Sequence, residues 1–248
     1  MKNKSFKIKI SQIIIFLLFY CGIAFTQNRA EIKPLAGVPA LFINEKPYPP
    51  FAYMSYLGEK EYYKEIADAG VHLYCFPAYL GDRGINTESG IGVFRSSIWI
   101  GKDKYDFSSV IEDFEKIVQS DPKAKVIIRI HLDPPLWWEK MNPDASAHLA
   151  NKATFRQSFY SNKWKNETAK VLQDFVQWLI HSSYSKHLIG IHVAAGATEE
   201  WFYHPPQYND KNPVKLAKFR DWLKSKYGND ITALQNAWND KQMERSIV

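Results

Sequence analysis

The chain has 248 residues, of which 46% are hydrophobic and 15% aromatic, so it can bury a substantial core. Its formal charge of +6 includes four lysines within the first nine residues, and residues 1–26 hold no acid, which leaves only +2 for the rest. That balance argues against a nucleic-acid partner.

Lys2, Lys4, Lys7 and Lys9 followed by the apolar run 13–25 read as a secretory signal over residues 1–26, with small residues at Ala24 and Thr26 and cleavage before Gln27. The run is too short for a comfortable membrane span. The expectation is a secreted or periplasmic protein, with no membrane association after signal cleavage. Cys75 is then the one remaining cysteine, which excludes an intramolecular disulfide and a cysteine metal site.

Residues 27–33 read as a polar lead. Val38 to Tyr48, with Asn44-Glu45-Lys46-Pro47 in its middle, reads as a small hairpin. A βα rhythm follows. Phe51 to Tyr56 is a short strand, and Glu59 to Ala69 a helix closed by Gly70. Val71 to Ala78 is a buried strand, followed by a glycine-rich loop from Tyr79 to Asp103. Phe107 to Gln119 is a helix with Val110, Ile111, Phe114, Ile117 and Val118 at helical spacing.

Lys125 to Leu132 is a strand with the β-branched run Val126-Ile127-Ile128, ended by Asp133-Pro134-Pro135 and followed by a long loop carrying Trp137 and Trp138. Lys163 to Ser182 is a helix, Leu188 to Ala194 a strand, and Val214 to Tyr227 a helix ended by Gly228. A last helix runs from Ile231 to Trp238 behind Asp230 as N-cap. Strands alternating with helices imply parallel βα units, and apolar strands imply burial on both faces. No Gly-x-Gly-x-x-Gly turn follows the first strand, and the long loops after the strands favour a (β/α)8 TIM barrel over a doubly wound sheet. About the first four βα units are recognisable, so residues 27–248 are expected to be the N-terminal portion of a larger barrel.

Leu188 to His204 carries the densest chemistry: an apolar strand, a glycine turn, then Glu199 and Glu200 among Trp201, Phe202 and Tyr203. A carboxylate at the C-terminal end of a parallel strand, beside rings that can stack on a sugar face, suits glycoside hydrolysis, with one glutamate as proton donor. The alternative is a solvated acidic pair. Trp137 and Trp138 line a sugar subsite or plug the barrel rim. Arg129, inside an apolar strand, requires a carboxylate partner, either in the site or as a structural ion pair beneath it. His131 and Asp133 are too sparse a set for a metal, and His192 reads as a core histidine. No nucleophile elbow or phosphate loop is present.

Several segments together resemble the catalytic barrel of clan A glycoside hydrolases, nearest to family 42 and β-galactosidase-like relatives. They are Leu41-Phe42-Ile43-Asn44-Glu45-Lys46-Pro47, Tyr105-Asp106-Phe107-Ser108, and Arg129-Ile130-His131-Leu132-Asp133-Pro134-Pro135-Leu136-Trp137-Trp138. Ile189-Gly190-Ile191-His192 leading to Glu200-Trp201, then Phe219 to Gly228 and Leu234 to Trp238, complete the set. The resemblance implies a retaining mechanism with two glutamates and no cofactor or metal. Glu200 is the acid/base, with Glu199 as second choice, standing where the clan has Asn. The nucleophile would come from a seventh strand outside this sequence, so the chain alone is expected to be incomplete and inactive. Trp137, Trp138, Trp201, Arg129, Asp133 and Tyr203 would hold an oligo- or polysaccharide substrate. A non-catalytic carbohydrate-binding protein on a barrel scaffold is the rival reading, and a metal-dependent barrel hydrolase a third.

Overall fold

The computed structural model describes residues 28–55, 62–83, 94–149, 153–196, 200–201 and 210–243. The expected signal segment, Glu199, Tyr203 and His204 lie outside the described residues.

Three short strands come first: β1 (Ala30–Leu35), β2 (Val38–Ile43) and β3 (Lys46–Tyr48), forming an antiparallel sheet in the order β1-β2-β3. The β2–β3 pair is the expected hairpin, whereas β1 forms where the sequence predicts a polar lead. Ala30, Ile32 and Pro34 alternate too weakly with polar residues to announce a strand, and pairing with β2 creates it.

The central sheet contains β4 (Ala52–Met54), β5 (Leu73–Tyr79), β8 (Lys125–His131) and β11 (Leu188–Ala194), all parallel. Their spatial order follows the chain, β4-β5-β8-β11, and never reverses. A doubly wound sheet reverses its order at a switch point. Helix α1 (Tyr63–Asp68) links β4 to β5. The hairpin β6 (Trp99–Gly101) and β7 (Lys104–Tyr105), then α2 (Ser108–Ser120), link β5 to β8. Between β8 and β11 lie α3 (Leu136–Met141), the antiparallel pair β9 (Ser146–His148) and β10 (Thr154–Gln157), and α4 (Asn162–His181). Helices α5 (Pro213–Tyr227) and α6 (Ile231–Trp238) follow. No described strand closes the sheet on itself, and β4 and β11 are its edges. No helix among the described residues is long and apolar enough to cross a membrane.

The core lies on one face of the sheet. Tyr74, Phe76 and Ala78 of β5 and Val126, Ile128 and Ile130 of β8 are fully buried against Val110, Phe114 and Ile117 of α2 and Val171, Phe175 and Leu179 of α4. Phe76 meets Phe114 edge-on at 5.2 Å, and Phe107 stacks on Trp178 at 4.3 Å. Each such side chain contributes roughly 1.5–3 kcal/mol of transfer free energy.

The other face departs from expectation. Cys75, Ile127 and Arg129 are half-buried there, and His192 is exposed rather than in a core. A run such as Val126-Ile127-Ile128 reports strand propensity, and among the described residues only its alternate members are sealed from water.

Candidate active site

In a parallel sheet the strands end together. Tyr79 of β5, His131 of β8 and Ala194 of β11 lie side by side in register. The row beneath them is Pro77, Arg129 and His192.

Asp133 follows β8 and is 1% exposed. Its Oδ1 accepts the Gln157 side-chain amide at 2.7 Å and the Gly196 backbone N–H at 2.8 Å. Its Oδ2 accepts from the Arg156 guanidinium and lies 3.7 Å from His131 Nε2. Burial pushes this carboxyl up, but His131, Arg156 and the Gly196 amide outweigh burial and hold it down at about 2. Asp133 is an ionised anchor. At 1% exposure it faces its protein partners rather than open solvent.

Arg156 was not singled out by sequence reasoning. It sits at the register shift between Phe155 and Gln157 in β10, with φ 52° and 1% exposure. Its pairing with Asp133 spans 23 residues, and no local pattern signals it. Arg129, the arginine expected to need a carboxylate, is half-buried on the open face one row below His131.

The turn after β11 is rooted by the same cluster. Asp133 holds the Gly196 N–H, and His131 Nε2 donates to the Gly196 carbonyl at 3.2 Å. Both polar atoms at Gly196 are thus fixed from β8. Gly196 takes φ 82°, which glycine adopts without penalty. Trp201 returns to the strand: its N–H bonds the Ala195 carbonyl at 2.7 Å and its indole N–H the Val193 carbonyl at 3.2 Å. Glu200, immediately before it, is exposed.

The rim on the β5 side is braced by ions. Arg83 forks onto the buried Glu139 of α3, with its Nε at 2.9 Å, and lies 4.2 Å from the Phe155 ring. Asp82 accepts the Leu136 N–H at 2.8 Å at the start of α3. Gly81 packs so closely that an added Cβ would stand 2.5 Å from the Pro134 carbonyl.

The three tryptophans expected to share one sugar site are divided. Trp137 and Trp138 lie on helix α3, not on a loop, and Trp138 is fully buried, its indole N–H bonded to Glu167 at 2.5 Å. They line a cavity of about 290 Å³ with Trp99. Trp201, 49% exposed, lines a second, apolar cavity of about 520 Å³ with Phe159, Trp164 and Leu172. Helix α4 stands between, giving Lys163, Glu167 and Lys170 to the first and Trp164, Thr168 and Leu172 to the second. Among the described residues no group of three His, Cys, Asp or Glu is placed to hold a metal.

No protein family and no curated protein matches the sequence. Among solved structures, a GH42 β-galactosidase from G. stearothermophilus matches at 18% identity over 75% of this chain and 25% of its own, with a TM-score of 0.47. A catalytic mutant of that enzyme gives 19% identity, 71% and 23% coverage and a TM-score of 0.44. The cold-adapted β-galactosidase from Rahnella sp. R3 gives 15%, 74%, 24% and 0.46. The chain spans about a quarter of the length of each of these proteins. At such identities and scores the relationship is a distant structural one and assigns no residue a role. The chain is a mixed α/β protein built on a parallel sheet, distantly similar in structure to GH42 β-galactosidases.

Proposed function

We propose that this chain is the N-terminal portion of an exported barrel glycoside hydrolase acting on a β-linked, galactoside-like saccharide, with Glu200 as acid/base and Glu199 as the alternative. One observation supports this above others. Glu200 follows the C-terminal end of a parallel strand whose Gly196 is held by Asp133 and His131, and it directly precedes the half-exposed Trp201, whose N–H returns to the Ala195 carbonyl. A proton donor requires that kind of fixed placement, and a pyranose requires that kind of ring. The chain-ordered strands β4, β5, β8 and β11 fit the opening quarter-turns of a barrel. Asp133 is buried and paired with Arg156 and Gln157, which suits an anchor better than a nucleophile. In this reading the nucleophile comes from a further strand, about 5 Å from the acid/base for retention.

The test is hydrolysis of a panel of aryl β-glycosides by the polypeptide carrying this chain, alongside saccharide binding. Glu200→Gln should lower kcat by about 10²–10⁴ on substrates with poor leaving groups, and much less on activated ones. Wild-type turnover in both Glu200→Gln and Glu199→Gln sinks the assignment. Saccharide binding without any turnover, indifferent to Glu200→Gln, favours the non-catalytic carbohydrate-binding reading instead.

A further inference from the structure

We infer that the cavity between the β6–β7 hairpin, α3 and α4 is a second saccharide-binding pocket, separate from the Glu200 turn and sized for one pyranose residue of the chain. The inference rests on the saccharide reading above and concerns a different place in the molecule.

The pocket has a built aromatic wall. Trp99 and Trp137 meet edge-on at 5.3 Å, and the Trp137 indole N–H donates to the Trp99 carbonyl at 3.2 Å. Trp138 is locked behind them through Glu167. The Trp137 ring is therefore held in one orientation, and its partly exposed surface is the wall a ligand meets. Met141, 71% exposed, extends the apolar rim.

The facing wall is polar, and its cations Lys102, Lys163 and Lys170 are balanced by Asp103, Glu167 and the neighbouring Asp174. Lys163 pairs with Glu167 at 3.2 Å, and Lys170 with Asp174 at 2.6 Å. Such pairs offer donors and acceptors side by side without a strong net field. That suits the hydroxyls of a neutral sugar better than a phosphate or a free carboxylate, which would call for uncompensated cations. The volume of about 290 Å³ admits a single ring with its ordered water. None of the residues lining this pocket lines the Trp201 cavity, so occupancy of one leaves the other open.

The experiment titrates the full chain with galacto-, gluco- and xylo-tetraoses joined by β-1,4 links, read by intrinsic tryptophan fluorescence and by NMR of the indole N–H signals. Trp137→Ala should weaken binding at least tenfold. Met141→Glu changes an exposed residue, leaves the fold alone, and should weaken it by a similar factor. Glu200→Gln should leave this affinity unchanged. Binding that survives both Trp137→Ala and Met141→Glu overturns the pocket, as does a panel that gives no saturable change at all. Affinity lost only in Glu200→Gln also overturns it, and moves the saccharide to the strand-end turn. Trp137-dependent binding, with no hydrolysis by the longer polypeptide that carries this chain, upholds this pocket while the catalytic reading fails.

Discussion

Asp133 Oδ1 accepts the backbone N–H of Gly196 at 2.8 Å, and this bond joins the end of β8 to the turn that carries Glu200. The same carboxylate is paired with Arg156, and both side chains are about 1% exposed. Removing one partner leaves an uncompensated buried charge. Asp133→Asn and Arg156→Met should each cost about 3–5 kcal/mol. The double variant should cost clearly less than their sum, because it leaves no orphan charge. A double-mutant cycle from urea unfolding checks this, and additive losses would mean that the pair is not coupled.

The depressed carboxyl of Asp133 also sets a pH dependence. Its value is about 2 in the fold, against 3.8 for the ordinary group. The folded state therefore binds the proton less readily than the unfolded chain. The stabilisation, roughly 2 kcal/mol, is complete above pH 4, declines as the pH falls through the interval between 4 and 2, and is gone below it. Unfolding midpoints at pH 7, 4 and 2 should show this loss in the wild type and a shallower loss in Asp133→Asn. Equal losses would assign the acid sensitivity to other carboxylates.

Gly81 predicts a steric effect on the same anchor. Its Cβ would stand 2.5 Å from the Pro134 carbonyl and 2.6 Å from that of Asp133, both backbone atoms that cannot swing aside. Gly81→Ala should cost about 3 kcal/mol, at the upper end for overpacking, and should speed amide exchange at Gly196 by displacing Asp133. Unchanged exchange at Gly196 would show that the two strand ends are not mechanically linked.

These anchors mark where the sequence stops being readable. Strands β5, β8 and β11 follow from their apolar runs and helices α2 and α4 from apolar periodicity, while α5 is marked by Gly228 at its end and α6 by its Asp230 cap, whose side chain accepts the Thr232 N–H at 2.8 Å. Helix α3 was not legible. Six residues following Pro134-Pro135 carry no periodic signal, and Asp82 and Arg83 hold the helix from outside, through the Leu136 N–H and the Glu139 side chain. The β9–β10 pair is likewise made by tertiary contacts, Ser158 and His148 both bonding the buried Asp210. At the site, the Glu200–Trp201 turn was visible as a motif. Arg156 was not, because a buried ion pair across 23 residues leaves no trace in local pattern. The tryptophans were visible as residues, but their division across α4 depends on which face of a helix each one meets.

Trp201 offers a test of the turn's backbone. It holds φ 62°, a left-handed conformation that costs an L-residue roughly 1–2 kcal/mol. Two bonds and a ring contact compensate: N–H to Ala195 O, indole to Val193 O, and the Phe159 ring at 6.0 Å. Trp201→Phe keeps a ring and loses the indole bond, and should cost about 1 kcal/mol. Trp201→Ala and Trp201→Gly both lose the ring, but only glycine relieves the backbone. Glycine should therefore be the more stable of the two by about 1 kcal/mol, reversing the usual order in which the more flexible residue destabilises. Thermal unfolding of the three variants decides it. Alanine equal to or above glycine would mean that the left-handed turn at Trp201 relaxes once the indole is gone, and that the indole bond to Val193, rather than the clamp at Gly196, sets the position of Glu200.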